Sequence, residues 1–104
     1  MTPELINLPS QLSVRNALAV HETLLEALQM NSAVTVDIPE GAQADLSFIQ
    51  LIEASRLYAR TEGKYITLTK PASPEIVDTL RRGGFLTTMD EASRLFWLHG
   101  KEIQ

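Results

Sequence analysis

Two polar residues, Asp45 and Ser47, stand at the start of a long helical pattern, at a spacing that suits phosphate or partner recognition. An aspartate at a helix N-cap accepts hydrogen bonds from first-turn amides, which have no partner within the helix. With Asp45 as N-cap, Ser47 is the second helical residue, at the positive end of the helix dipole. Backbone donors would hold a phosphate there, so the pattern predicts a serine that acts as a switch. The plainer interpretation is an ordinary cap followed by a first-turn serine.

The rest of the chain offers few groups for catalysis or metal binding. It has no cysteine, and His99 has no carboxylate or cysteine near it at ligand spacing. Glycine-rich phosphate loops and nucleophile elbows are absent. Asp37 and Lys70 follow two predicted strands, as in a phospho-receiver pocket, but Asn7 stands where the first strand would need an acid pair. The sequence therefore predicts a protein that is not an enzyme and that uses no metal or cofactor.

Composition narrows the class of protein. The chain has 104 residues, 44% of them hydrophobic, which predicts a single domain over residues 1–104. The formal net charge is −4 and Arg81-Arg82 is the only adjacent basic pair, so nucleic-acid binding is not expected. No stretch approaches the roughly 20 apolar residues that span a bilayer, and the first residues lack a signal-peptide pattern. We therefore expect a soluble, cytoplasmic protein without direct membrane insertion.

Strand and helix patterns alternate along the chain. Strands are predicted at residues 4–8, 33–38 and 65–69, with residues 9–12 as a further strand or edge segment. The strand at 33–38 reads as buried on both faces. Helical patterns begin after Ser13, Asp45 and Ser73, and a capping box from Thr88 to Glu91 predicts the start of a last helix. This order predicts an α/β fold with a mixed, mostly parallel sheet of about four strands and helices largely on one face.

The segment at residues 33–86 carries a series of short motifs in a fixed order. A strand ends in Asp37, the Asp45-Leu46-Ser47 helix opening follows, and a helix rich in Ala and Arg leads to Gly63-Lys64. A strand, a proline-containing loop and a short helix ending in Gly-Gly-Phe complete the series. In this order the chain resembles a STAS domain, the fold of anti-anti-sigma factors and related bacterial regulators. The resemblance extends loosely over the N-terminal third.

The resemblance implies roles for the residues around Ser47. Ser47 falls on the phosphorylatable serine of the family, and Asp45 on the aspartate before it. Leu46 replaces the usual Ser or Thr, and Phe48 replaces the usual Gly, whose backbone lets a partner approach closely. A phenylalanine would block that approach or serve as an apolar anchor. The predicted partner-binding residues are Asp45, Leu46, Ser47, Phe48 and Gln50.

Two functions remain open from this resemblance. The first is a non-enzymatic signalling module that docks a protein with a histidine-kinase-type ATPase domain, such as an anti-sigma kinase or a chemotaxis or two-component kinase. Phosphorylation of Ser47 would then act as a charge switch. The alternative is an accessory subunit of a lipid-handling ABC transporter, in which the same helix start contacts the ATPase subunit without phosphorylation.

The apolar run at residues 96–98 allows a third role. Phe96, Trp97 and Leu98 cover all sides of a helix, which predicts self-association and a homodimer. In the plainer interpretation, Phe96 and Leu98 complete the core and Trp97 covers its edge.

Overall fold

The computed structural model describes residues 3–100 and confirms the predicted alternation of strands and helices. The first two strands of the main sheet are each followed by a helix that returns the chain to the next parallel strand, as βαβ units require. The elements, in chain order, are β1 (Glu4–Asn7), β2 (Gln11–Leu12), α1 (Val14–Met30), β3 (Ala33–Asp37), β4 (Gln43–Ala44), α2 (Leu46–Thr61), β5 (Tyr65–Leu68), α3 (Pro74–Arg82) and α4 (Glu91–Leu98).

The main sheet differs from the predicted one in size and pairing. Within residues 3–100 it has three strands, ordered β1-β3-β5 and all parallel. The segment at residues 9–12 does form a strand, but β2 pairs in parallel with β4 in a separate two-stranded sheet. The predicted α/β fold with a parallel sheet is observed, but a mixed sheet of about four strands is not, because the fourth candidate strand pairs with β4 and not with an edge of the main sheet.

One face of the main sheet is packed and the other is open. Val34 and Val36 are fully buried beneath α1 and α2, with Leu24, Leu28 and Ile52 in the same core. The prediction that β3 is buried on both faces is wrong, since Thr35 on its other face keeps contact with solvent. The open face bears polar pairs, and the hydroxyls of Thr35 and Thr67 lie 3.3 Å apart across β3 and β5.

The turn between α2 and β5 holds the far end of α1. Gly63 has φ of +68°, a conformation that costs glycine nothing and that ends the helix. Lys64 follows it, and its ammonium group donates hydrogen bonds to the carbonyls of Leu28 and of Gln29, the latter at 3.3 Å. A cation at unpaired helix carbonyls is favourable, so Lys64 stabilises the last turn of α1.

The last helix begins two residues later than predicted. Asp90, not Thr88, is its N-cap, and the carboxylate of Asp90 accepts a hydrogen bond from the Ser93 amide at 2.8 Å. The Ser93 amide, and after it the Ser93 hydroxyl, lower the pKa of Asp90 below its ordinary value, with smaller contributions from Arg56 and Arg60. At the other end His99 caps the helix in the left-handed conformation, with φ of 53°.

The aromatic residues of α4 are part of the core. Phe96, Trp97 and Leu98 are all buried, and Trp97 is the largest fully buried side chain among the described residues. The prediction that Trp97 covers an edge or contacts a second copy is therefore wrong, whereas Phe96 and Leu98 complete the core as expected. None of the helices within residues 3–100 has the length and apolar content that crossing a bilayer requires.

Candidate functional site

The carboxylate of Asp45 holds the starts of two helices together. Its Oδ1 accepts a hydrogen bond from the Phe48 amide at 3.3 Å, which is the N-cap bond predicted for α2. Its Oδ2 accepts a second bond from the Val14 amide at 3.0 Å, at the first residue of α1. One side chain thus accepts from a first-turn amide in each helix, and the Phe48 amide also donates to the Asp45 carbonyl at 3.1 Å. The positions of α1 and α2 relative to each other are fixed where both helices begin.

Ser47 is the second residue of α2, as predicted, and it is partly exposed. Its hydroxyl makes no hydrogen bond to any described residue and is not enclosed by the protein. The amides of Leu46 and Ser47 also lack a partner among residues 3–100. The hydroxyl therefore lies beside free backbone donors at the positive end of a helix of 16 residues.

Leu46 forms the apolar part of the same surface. Its side chain is 42% exposed, and its inner side packs on the turn that ends α3. A Cβ atom added to Gly83 would lie 2.7 Å from Cδ1 of Leu46 and 3.0 Å from the ring of Phe85. A side chain at residue 83 would therefore have to displace the Leu46 methyl group or the Phe85 ring, although the φ of −83° is open to any residue.

The last two predicted partner-binding residues, Phe48 and Gln50, differ in their exposure to solvent. Gln50 is exposed and lies on the outer side of α2. Phe48 is only 1% exposed and belongs to the core cluster. The prediction that the Phe48 side chain contacts a partner is therefore wrong. Its aromatic ring fills the core beneath the helix start and can only support the surface from below.

Two neighbours of this surface were not predicted from the sequence. Val14 is exposed and is brought to Asp45 by the hydrogen bond described above. Thr79 is buried in α3, and its hydroxyl donates to the carbonyl of Ala44 at 3.0 Å, just before the cap. No local pattern in the sequence indicates either contact, because each joins residues more than thirty positions apart. We use "α2-start surface" for Val14, Leu46, Ser47, Gln50 and Gly83.

The residues at the carboxyl ends of the main strands are engaged with one another. Asp37 accepts a hydrogen bond from the Thr69 hydroxyl at 2.6 Å, and Lys70 forms an exposed ion pair with Glu40 at 3.6 Å. Among the described residues, no three or more His, Cys, Asp or Glu side chains are placed to share a metal ion.

No family model, curated protein or solved structure matches this chain. The functional inference therefore depends on the geometry of the α2-start surface.

Proposed function

We propose that the chain is a STAS-like, non-enzymatic module that binds a signalling protein through the α2-start surface. The double hydrogen bond of Asp45 is the observation that carries this proposal. Because the cap joins two helix starts, the surface is held in one arrangement before a partner arrives, which lowers the entropic cost of binding. An apolar side chain, a hydroxyl and an amide side chain then face outward together at Leu46, Ser47 and Gln50.

The partner that we propose is a bacterial protein with a histidine-kinase-type ATPase domain, such as an anti-sigma kinase or a chemotaxis or two-component kinase. Both would be cytoplasmic. Phosphorylation of Ser47 would place a charge of about −2 beside the carboxylate of Asp45. The free amides of Leu46 and Ser47 stabilise that charge in the isolated protein, whereas an apolar or acidic partner surface would be repelled. The modification would therefore release the partner.

The alternative partner is the ATPase subunit of a lipid-handling ABC transporter. The exposed side chain of Leu46 favours this alternative, because an apolar contact with a partner needs no phosphate. In that case the same surface would act constitutively, and a charge at Ser47 would have no regulatory role.

Affinity capture from the native cell, followed by mass spectrometry and phosphosite mapping, tests the proposal. The baits are the wild type, Leu46→Asp, Ser47→Asp and Leu57→Asp. Leu57 is the matched control, since it is exposed on α2 about three turns from Leu46. We expect a kinase-type ATPase with the wild type and Leu57→Asp, and its loss with Leu46→Asp and Ser47→Asp.

The other possible outcomes of the capture experiment each lead to a different conclusion. If the kinase-type ATPase is lost with Leu46→Asp but retained with Ser47→Asp, docking at the α2-start surface is supported and the phosphorylation switch is contradicted. Recovery of a transporter ATPase would establish the alternative partner. Equal recovery with Leu46→Asp and Leu57→Asp would contradict docking at the α2-start surface.

A further inference from the structure

A groove runs along the outer edge of β5, far from the cap of α2 in sequence. Its volume is about 590 Å³, within the range of sites that bind peptides or small molecules. We call it the β5–α4 groove, and its lining residues are Arg56, Tyr65, Ile66, Thr67, Leu68, Ala92, Leu95, Phe96 and His99.

The groove follows the edge of the strand and not one of its faces. All four residues of β5 line it, although successive side chains of a strand point to opposite faces. The amides of Tyr65 and Thr69 donate to Ser32 and Val36 on the β3 side. Since a parallel strand alternates its backbone groups between its two neighbours, Ile66 and Leu68 direct their N–H and C=O groups to the groove.

The strand at this edge carries none of the residue types that normally prevent strand addition. Edge strands are usually protected by charged residues, prolines or bulges. The sequence of β5, Tyr-Ile-Thr-Leu, has none of these, and Pro71 lies beyond its end. The opposite edge of the sheet differs, because Glu4 of β1 and Glu26 of α1 line the groove beside it. The strand at the β5 edge, in contrast, has no charged residue of its own.

Helix α4 forms a fixed wall of the groove. Near its start, the Arg56 guanidinium donates to the Ser93 hydroxyl at 3.1 Å and lies 4.7 Å from the centre of the Phe96 ring. At its end, the Ala72 amide donates to the carbonyl of Trp97 at 2.7 Å. The helix is held at both ends, so the groove exists without a ligand.

We propose that the β5–α4 groove binds an extended segment of a partner protein, which adds to the main sheet as a fourth strand beside β5. The backbone groups of Ile66 and Leu68 supply the hydrogen bonds, and the apolar walls receive every second side chain of the segment. The segment is extended and apolar at alternate residues, because Ile66, Leu68, Leu95 and Phe96 form apolar walls and the Arg56 guanidinium is already paired with Glu53 at 2.6 Å.

A second copy of the chain is the less suitable occupant of this groove. In each copy α4 forms one wall of the groove beside β5, so both helices would have to be accommodated before two β5 edges could pair. A single extended segment needs only about 4.8 Å of space beside β5, and the groove there has a volume of about 590 Å³.

Selection from a phage-displayed library of random short peptides tests the proposal on the full chain. The protein variants are Leu95→Lys, in the groove wall, and Leu57→Lys, outside it; the two leucines are 64% and 62% exposed, so neither change disturbs the core. We expect enriched peptides in which every second residue is apolar. Their binding should weaken by about tenfold or more with Leu95→Lys and stay unchanged with Leu57→Lys.

Two further measurements use the wild-type protein alone. The amides of Ile66 and Leu68 should exchange hydrogen more slowly when a selected peptide is bound, and methylation of alternate peptide nitrogens should abolish binding. Equal binding to both lysine variants, or full binding by the methylated peptide, would overturn strand addition. If analytical ultracentrifugation shows a dimer that Leu95→Lys dissociates, the occupant of the groove is a second copy of the chain and not a partner segment.

Discussion

The α2-start surface and the β5–α4 groove present the backbone in opposite ways. At the start of α2, the carboxylate of Asp45 takes up the amides of Val14 and Phe48, and outward side chains remain for recognition. At the edge of β5, the backbone groups of Ile66 and Leu68 have no neighbouring strand within residues 3–100, and the surrounding side chains are mostly apolar. Recognition is expected to depend on side-chain identity at the first region and on hydrogen bonding by the main chain at the second.

This difference decides which changes each region tolerates. A charge introduced at a helix start acts on the few side chains and dipoles near it and is screened beyond about 10 Å. A strand edge keeps its backbone hydrogen-bonding groups whatever its side chains are. Its binding of a segment is lost only when the groove is blocked or when the segment lacks its amide groups. The two regions can therefore be separated by mutation.

The largest effects are expected from the buried aromatic residue beneath each region. Phe48→Ala and Trp97→Ala each remove a ring that is at most 1% exposed, and each should lower the free energy of unfolding by about 3–5 kcal/mol. Urea denaturation measures both losses. The exposed Leu57→Ala is the control, with an expected change within about 0.5 kcal/mol. A loss below about 1 kcal/mol at either ring would contradict its place in the core.

The next largest effect compares Asp45, whose carboxylate accepts hydrogen bonds from two helices, with Asp90, whose carboxylate caps one helix. Asp45→Ala removes the acceptor for two amides and should lower the free energy of unfolding by about 2 kcal/mol. Asp45→Asn keeps one acceptor oxygen and should cost less. Asp90→Ala removes only the bond from Ser93, so its effect should also be smaller than that of Asp45→Ala. Equal losses for Asp45→Ala and Asp90→Ala would mean that the bond to Val14 contributes nothing.

A charge at Ser47 should affect one region and spare the other. Ser47→Asp places a carboxylate in the first turn of α2, where the helix dipole is favourable, so stability should change by no more than about 0.5 kcal/mol. Titration of the partner recovered by affinity capture should show binding weakened by about tenfold. A peptide selected for the β5–α4 groove should bind as it does to the wild type. A loss of peptide binding would show that the two regions are coupled.

The smallest effect concerns the contribution of Asp90, the N-cap of α4, to stability at low pH. The Ser93 amide holds the pKa of Asp90 below its ordinary value, so the charged carboxylate stabilises the folded state. That contribution is complete above about pH 4, the region of the unfolded pKa, and is lost as the pH falls through the folded pKa. The difference in unfolding free energy between the wild type and Asp90→Asn should therefore shrink on acidification. A difference that grows on acidification would contradict the sign of the shift.

The sequence predicted the local features of this molecule well. Helix starts at Ser13, Asp45 and Ser73 are confirmed, because capping depends on residues within one turn of each other. The same local pattern misplaced the start of α4, where Thr88 and Asp90 both suit an N-cap and the contacts of Ser93 with Arg56 favour the later one.

Features that depend on distant residues were not predictable in this way. The pairing of β2 with β4, the bond from Val14 to Asp45 and the contact of Leu46 with Gly83 each join separate segments. Leu95 shows the same limit, since its helical spacing suits the core and yet it lies in the wall of an open groove. Periodicity predicts which residues share a face of a helix, but not what that face meets.

The residues on either side of α2 bind the two ends of α1, Asp45 at the start and Lys64 at the finish. Tension applied to α1 is therefore transmitted to both flanks of α2, and the pair should resist mechanical extension as one element. In a single-molecule pulling experiment, the two helices should release in one rupture event, and Lys64→Met should divide that event into two.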